Sequence, residues 1–352
     1  MLFRSGGAVP RGCIRWSRAS ARAGPNRARR ERVLLPSRRS ERQQASAPAR
    51  QPKPPEVFAP MFRCGSVAIV GRPNVGKSTL LNRLVGQKLS ITSDRPQTTR
   101  HRIVGVLTRP DAQVLFLDSP GFQTRVGGPL NRVLNRTALQ VAEDADVTVL
   151  VCDAQAWTPA DADFARRLGR GRPRMLVLNK IDQVTDKAKL LPRVQQLQTD
   201  YAFDEIVPLS ARTGRQVDTL IDLCVGRLPE GPAMFEADAL TDRSERFLAA
   251  EMIREKLFRQ LGDELPYQST VEIERFEELP SLRRIFASVL VERDAQKGIV
   301  VGHGGERIRR LSTDARAELE KLFGCRVYLE LFVKVKSGWA DSEASLRAHG
   351  YE

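Results

Sequence analysis

Eight consecutive residues, Gly71, Arg72, Pro73, Asn74, Val75, Gly76, Lys77 and Ser78, have the types and spacing of a loop that cradles phosphate. Gly71 and Gly76 let backbone N–H groups wrap closely around an anion. A helix opening at Lys77 and continuing through Ser78 and Thr79 adds its positive N-terminal end. In that frame Lys77 reaches the β- and γ-phosphates and Ser78 ligates Mg2+.

Three further elements fall where such chemistry needs them. Asp118, Ser119, Pro120 and Gly121 follow an apolar run. Asp118 can hold Mg2+ through water, and the Gly121 N–H can meet the γ-phosphate. Asn179, Lys180, Ile181 and Asp182 follow another apolar run, and a carboxylate there accepts two hydrogen bonds from the guanine edge, which adenine cannot supply. Ser210 and Ala211 end a third run and can support the base through the backbone. The four elements in this order specify GTP and GDP. A switch that senses the γ-phosphate also needs a hydroxyl on the metal. The polar segment Gln97-Thr98-Thr99-Arg100-His101 offers two, of which Thr99 is preferred. The expected catalytic set is Lys77, Thr99, Asp118 and Gly121. Phe122 stands where an attacking water would be oriented, and an apolar ring cannot do that. Intrinsic hydrolysis should therefore be slow, with the missing element supplied by a backbone group, an ion or a partner. Asn74 is a candidate for holding an activating K+, with packing of the loop as its alternative role.

The elements that position these residues follow from the pattern of apolar runs. Strands are expected at 67–70, 102–107, 114–117, 147–152, 175–178 and 206–209, and helical periodicity at 129–143, 187–198 and 216–228. Such alternation predicts an α/β P-loop GTPase domain, with a mostly parallel sheet and helices on both faces. Pro229-Glu230-Gly231-Pro232 breaks the pattern. Beyond it a long helix is expected at 244–261, strands at 269–276 and 285–293, an amphipathic helix carrying Ile308, Leu311, Ala315, Leu319 and Leu322, and a strictly alternating strand from Val327 to Lys336. That order, helix–strand–strand–helix–strand, predicts a small α+β domain. The expected division is an extension at 1–60, a nucleotide domain at 61–228, a linker at 229–243, a second domain at 244–340 and a tail at 341–352.

Composition narrows the field. The chain has 352 residues and a formal charge of +15, but residues 1–60 hold 14 basic and 3 acidic side chains, so most of the surplus belongs to this segment. No apolar stretch approaches the roughly 18–20 residues that span a bilayer. Five scattered cysteines without a CxxC pair argue against a disulfide scaffold or zinc ribbon, and three histidines without ligand spacing against a His-built metal site. The Arg- and Ser-rich, acid-poor extension has two readings. One is a leader of mitochondrial transit type. The other is a start placed too far upstream, with Met61 the true first residue, which the closeness of Met61 to the first strand favours.

Gly302-His303-Gly304-Gly305 stands at the head of the amphipathic helix. A GxxG turn there matches the loop with which KH domains clamp a single-stranded nucleic-acid backbone. Residues 233–352 carry 19 basic and 22 acidic side chains, so bulk attraction cannot hold RNA. Binding must come from the turn and its neighbours, with Arg307, Arg309, Arg310, Lys297, Lys334 and Lys336 as candidates; of these Arg307 and Arg310 are expected to face outward together because Ile308 and Leu311 face the core.

With these motifs in place, residues 61–352 resemble the bacterial Era GTPases, a Ras-like domain followed by a type II KH domain. Segments 71–84, 87–105, 158–159, 241–267, 271–276 and 334–340 carry the resemblance. It implies a factor in small ribosomal subunit assembly that binds the 3′ end of small-subunit ribosomal RNA through the KH domain. It further implies a monomer in the cytoplasm that associates peripherally with the inner membrane; a transit peptide at 1–60 would instead place it in the mitochondrial matrix. Three features depart from the family pattern: Ser119 in place of the usual Thr, a GxxG interior of His303-Gly304 without lysine, and the first 60 residues. Two other functions compete: an RNA chaperone in which hydrolysis is incidental, and a tRNA-modifying GTPase. The latter is disfavoured by a C-terminus, Ala348-His349-Gly350-Tyr351-Glu352, without cysteine.

Overall fold

The structure, a computed structural model, describes residues 61–93, 98–122, 129–169, 171–186, 188, 190–262, 265 and 269–337. The 1–60 extension, Gln97, the end of the 334–340 segment and the 341–352 tail lie outside the described residues.

The first unit is built from β1 (Arg63–Val70), α1 (Lys77–Val85), β2 (Ile103–Thr108), β3 (Ala112–Asp118), α2 (Pro129–Asp144), β4 (Val147–Asp153), α3 (Pro159–Arg167), β5 (Arg174–Asn179), α4 (Leu190–Tyr201), β6 (Glu205–Pro208) and α5 (Val217–Val225). Its sheet runs β2-β3-β1-β4-β5-β6, parallel throughout except for β2 against β3. Helices cover both faces, so the central strands read as near-continuous apolar runs, and β3 is buried along its whole length. Alternate residues of one strand serve the two cores. Val67 and Ile69 pack with Leu80 and Leu81 of α1, while Ala68 and Val70 pack with Phe164 of α3. Helix α3 was not foreseen, because its nine residues hold only a short apolar stripe. A capping box starts it, in which Thr158 and Asp161 bond reciprocally behind Pro159.

The second unit comprises α6 (Glu245–Gln260), β7 (Ser269–Leu279), β8 (Leu282–Val291), α7 (Asp294–Val301), α8 (Glu306–Phe323) and β9 (Arg326–Val335). Strands β7 and β8 form an antiparallel hairpin, β9 adds parallel to β8, and β9 is an edge. Leu311, Ala315, Leu319 and Leu322 form the buried stripe of α8, as their spacing predicts. The expected order lacked one element. Helix α7 stands between β8 and the GxxG turn, which therefore joins two helices. Its eight residues, DAQKGIVV, bury only Val300 and give periodicity nothing to detect.

The connecting segment is not a free tether. Cys64 N–H bonds the Pro229 carbonyl and Val106 N–H the Leu240 carbonyl. The Gln113 side chain, buried in β3, accepts from Met234 and Phe235 N–H and donates to the Phe235 carbonyl. Among the described residues no helix is long and apolar enough to cross a membrane.

Candidate nucleotide and nucleic-acid sites

The 71–78 loop leaves the end of β1 and enters α1, and its shape demands its glycines. Gly71 has φ of 141° and Gly76 of 99°, and a Cβ on either would stand 2.3 Å from the Val151 carbonyl or the Asn179 amide. Lys77 is buried, and its Nζ donates to the Gly71 and Arg72 carbonyls at 3.0 and 2.8 Å. Burial pulls its pKa down to about 8 although Asp118 opposes the shift. Arg72 reaches back to Asp161 at 2.6 Å, so the capping box of α3 also anchors the loop. Val75 is buried, and its carbonyl accepts from Asn179. Pro73, Asn74 and Thr79 line the cleft above Lys77, and Asn74 takes φ of 62°.

Three oxygen-bearing side chains converge at the mouth of α1. Ser78 Oγ lies 2.8 Å from Thr99 Oγ1 and donates to Asp118 Oδ2 at 2.8 Å. Thr98 instead turns its carbonyl to Arg254, so it is Thr99 that joins this cluster. Asp118 is fully buried, and burial raises its pKa even with Lys77 nearby. Its Oδ1 is buried without a hydrogen-bond partner among the described residues. Ser90, which belongs to none of the motifs, donates its hydroxyl to Asp118 Oδ2.

Beyond Asp118 the chain folds tightly across the loop. Ser119 donates its hydroxyl to the Ile69 carbonyl at 3.0 Å. Pro120 is buried, and a Cβ on Gly121 would meet the Pro73 nitrogen at 2.7 Å. Phe122 N–H bonds the Gly71 carbonyl at 3.1 Å. Its ring points into the core, 4% exposed and stacked on Phe164 at 4.5 Å. No face of that side chain addresses the phosphate cleft.

Asn179 ends β5 and ties two loops together, donating to the Val75 carbonyl at 2.8 Å and accepting from Ala211 N–H at 2.9 Å. Lys180 has φ of 68° and pairs with Asp153 at 2.9 Å, and Ile181 is buried. Asp182 accepts from the Ser210 hydroxyl at 2.6 Å and pairs with Arg212. These partners, Ser210 first, hold its carboxyl below the usual range. Ser210 thus meets Asp182 by its side chain, a contact beyond the backbone role expected of it.

At the other site Gly302, Gly304 and Gly305 all have positive φ, and a Cβ on Gly302 would stand 2.7 Å from Arg307 Cβ. His303 and Gly304 are exposed, and the space around Gly304 is open. Arg307 and Arg310 are exposed as expected, and Arg307 Nη1 donates to the Ile299 carbonyl at 2.5 Å. The guanidinium nearest the turn belongs to Arg309, which bonds the Gly304 and Gly305 carbonyls. Arg309 is among the candidate neighbours, but periodicity puts Arg307 and Arg310 ahead of it, and the structure gives the contact with the turn to Arg309. A groove continues from Arg309 along Ser312, Thr313 and Arg316 of α8 to the free edge of β9 at Tyr328 and Leu329.

Known proteins match both sites. Residues 66–180 match a family described as 50S ribosome-binding GTPase, and residues 264–340 match the KH domain. The chain is 50% identical over 293 residues to GTPase Era of Bordetella pertussis, covering 83% of this chain and 99% of that protein. It is likewise 50% identical over 291 residues to GTPase Era of Azotobacter vinelandii, covering 82% and 97%. Among solved structures it is similar to Era in complex with MgGDPNP and nucleotides 1506–1542 of 16S ribosomal RNA, with a TM-score of 0.78, 37% identity, and coverage of 82% of this chain and 99% of that one. A variant of Aquifex aeolicus Era bound to GDP and AlF4− gives a TM-score of 0.79 at the same identity and coverage.

Proposed function

The chain belongs to the Era family of GTPases, and from that premise we propose a GTP-operated switch in small ribosomal subunit assembly. Its 302–305 turn and adjoining groove take the 3′ end of small-subunit ribosomal RNA, and hydrolysis releases it. The observation that carries this reading is the union, in one chain, of the Ser78–Thr99–Asp118 cluster with a GxxG groove. The match at 66–180 names the large subunit but covers the nucleotide domain alone. The relative solved with RNA spans the second unit too and holds 16S nucleotides, which favours the small subunit.

The cluster suits Mg2+, a hard cation that takes oxygen ligands. Ser78 and Thr99 would bind it directly and Asp118 through water, and the buried Asp118 Oδ1 has no hydrogen-bond partner among the described residues. When bound, the ion neutralises charge on the β- and γ-phosphate oxygens. The chain's own groups do the rest. Loop N–H groups and the α1 N-terminus orient the phosphates, Lys77 exchanges loop carbonyls for phosphate oxygens, and Asp182 reads the guanine edge. Gly121 stands against Pro73 at the γ-phosphate end of the loop. Phe122 offers the attacking water no polar group, so the site would need a further element, for which Asn74 could help hold a K+ or bound RNA could serve. Cytoplasmic action with peripheral inner-membrane contact belongs to the same proposal and rests on the family resemblance.

Binding of a 3′-terminal 16S oligonucleotide, compared among GTP, GDPNP and GDP complexes, tests the reading. Tight binding with GDPNP and release during GTP turnover are expected. Release with equal kinetics in GDPNP would favour an RNA chaperone with incidental hydrolysis.

A further inference from the structure

Helix α6 belongs to the second unit, yet it lies against the segment that carries Thr99. Buried positions run all round it, including Met252, Arg254, Glu255 and Leu257, as expected of a helix enclosed on every side. Arg254 is 2% exposed, and its Nη2 donates to the Thr98 carbonyl at 2.6 Å. Its Nε and Nη2 also grip Glu251 at 2.8 and 2.6 Å, a two-point contact that leaves the planar guanidinium one orientation. Burial works against the Glu251 charge, but Arg254 holds its pKa below the ordinary carboxylate value, so the pair is ionised. One helical turn on, Glu255 accepts from Thr92 N–H and Oγ1 at 2.9 and 3.1 Å. Thr92 and the Thr98 carbonyl are thus both held from α6, and that carbonyl belongs to the peptide that places Thr99.

We infer that Arg254, oriented by Glu251, is a positioning residue of the GTPase site: it fixes the Thr98 carbonyl so that the Thr99 hydroxyl meets Ser78 and the metal. The first helix of the second unit thereby becomes part of the nucleotide site, and whatever moves α6 is felt at Thr99. The inference rests on Thr99 acting as a metal ligand. A pair that merely joined the two units would affect GDP and GTP complexes alike. A positioning pair affects only the complex in which Thr99 is engaged.

Removing Arg254 alone would strand a buried carboxylate, so both charges are removed together in Glu251→Leu/Arg254→Met; packed apolar replacements of buried ion pairs are commonly neutral or stabilising. In the full chain this variant should bind GDP within about twofold of wild type but GDPNP in Mg2+ about tenfold more weakly, the loss of one charge-assisted hydrogen bond. Thr99→Ala should lose as much, and adding it to the pair variant should cost nothing further. Arg254→Lys keeps a donor for the Thr98 carbonyl and should recover part of the GDPNP preference. Additive losses, equal weakening of GDP and GDPNP, or unchanged GDPNP binding by the pair variant would overturn the positioning role. A Thr99→Ala variant with the wild-type GDPNP-to-GDP ratio would instead show that Thr99 is not the metal ligand, and the inference would fall with it.

Discussion

Ser90 donates its hydroxyl to Asp118 Oδ2 at 2.8 Å, with both side chains fully buried. Ser78 donates to the same oxygen, while Oδ1 has no hydrogen-bond partner among the described residues. The carboxylate is therefore held rigidly by one oxygen and left costly to ionise by the other, an arrangement that a cation relieves.

Asp118→Asn should stabilise the nucleotide-free protein while abolishing Mg2+-dependent nucleotide binding. Burial raises the Asp118 pKa, so its penalty is absent in acid and grows as pH rises through the folded value. The gain, on the order of 1 kcal/mol, should appear near neutral pH and vanish in acid. Thermal melts of both proteins at pH 4 and pH 7.5 without Mg2+ check it, and a destabilised variant at pH 7.5 contradicts it.

Lys77 makes nucleotide binding pH-dependent. Burial lowers its pKa to about 8, so above that pH the free protein loses the proton that bound phosphates require. Affinity should be flat below pH 8 and fall above it, with uptake of about half a proton or more near pH 8.5. Calorimetry in buffers of different ionisation enthalpy measures this, and zero uptake there would refute it.

Asp182→Asn should move preference from GTP towards XTP, because one acceptor oxygen becomes a donor that suits the xanthine carbonyl. Leaving a buried base edge unpaired costs about 1–3 kcal/mol. Arg212→Ala should matter far less, because this guanidinium is 70% exposed and exposed pairs contribute roughly 0–1 kcal/mol. Competition between GTP and XTP decides the matter, and an unchanged ratio in Asp182→Asn would dismiss the guanine-reading role.

Phe122→Gln should not produce a fast GTPase. The position-122 side chain lies in the core against Phe164, so the glutamine would bury an amide there and cost stability of roughly 2–4 kcal/mol. Single-turnover hydrolysis in Na+ should stay slow in both proteins, while K+ or RNA raises the wild-type rate. Acceleration by the substitution alone would mean that residue 122 faces the phosphate.

His303→Asp/Gly304→Asp should abolish RNA binding and leave GTP binding intact. Both positions are exposed, Gly304 has open space for a side chain, and aspartate tolerates its φ of 54° better than most residues. Two new carboxylates would then face the phosphate backbone. Wild-type binding should show a shallow salt slope, since few phosphates are neutralised. Undiminished binding of a 3′-terminal 16S oligonucleotide by the double variant would remove the turn from the RNA interface.

What could be read in the sequence is what short-range chemistry dictates. A phosphate loop needs its glycines and lysine within eight residues, and Asp118 and Asn179 stand at strand ends, with Asp182 one short turn beyond, because that is where a parallel sheet presents them. Strands buried on both faces and the long stripe of α8 announce themselves by their runs of apolar residues. Tertiary structure alone decided which polar residues serve those motifs. Ser90 meets Asp118 across 28 positions, and Arg254 meets Thr98 across 156, and nothing local distinguishes either from its neighbours. Helix α7 was hidden because it buries one residue, and the inward turn of Phe122 because an aromatic ring is as compatible with a cleft as with a core. Hydrogen bonds to main-chain carbonyls and buried ion pairs are made by whichever side chain the fold brings within about 3 Å, so they leave no period and no motif behind.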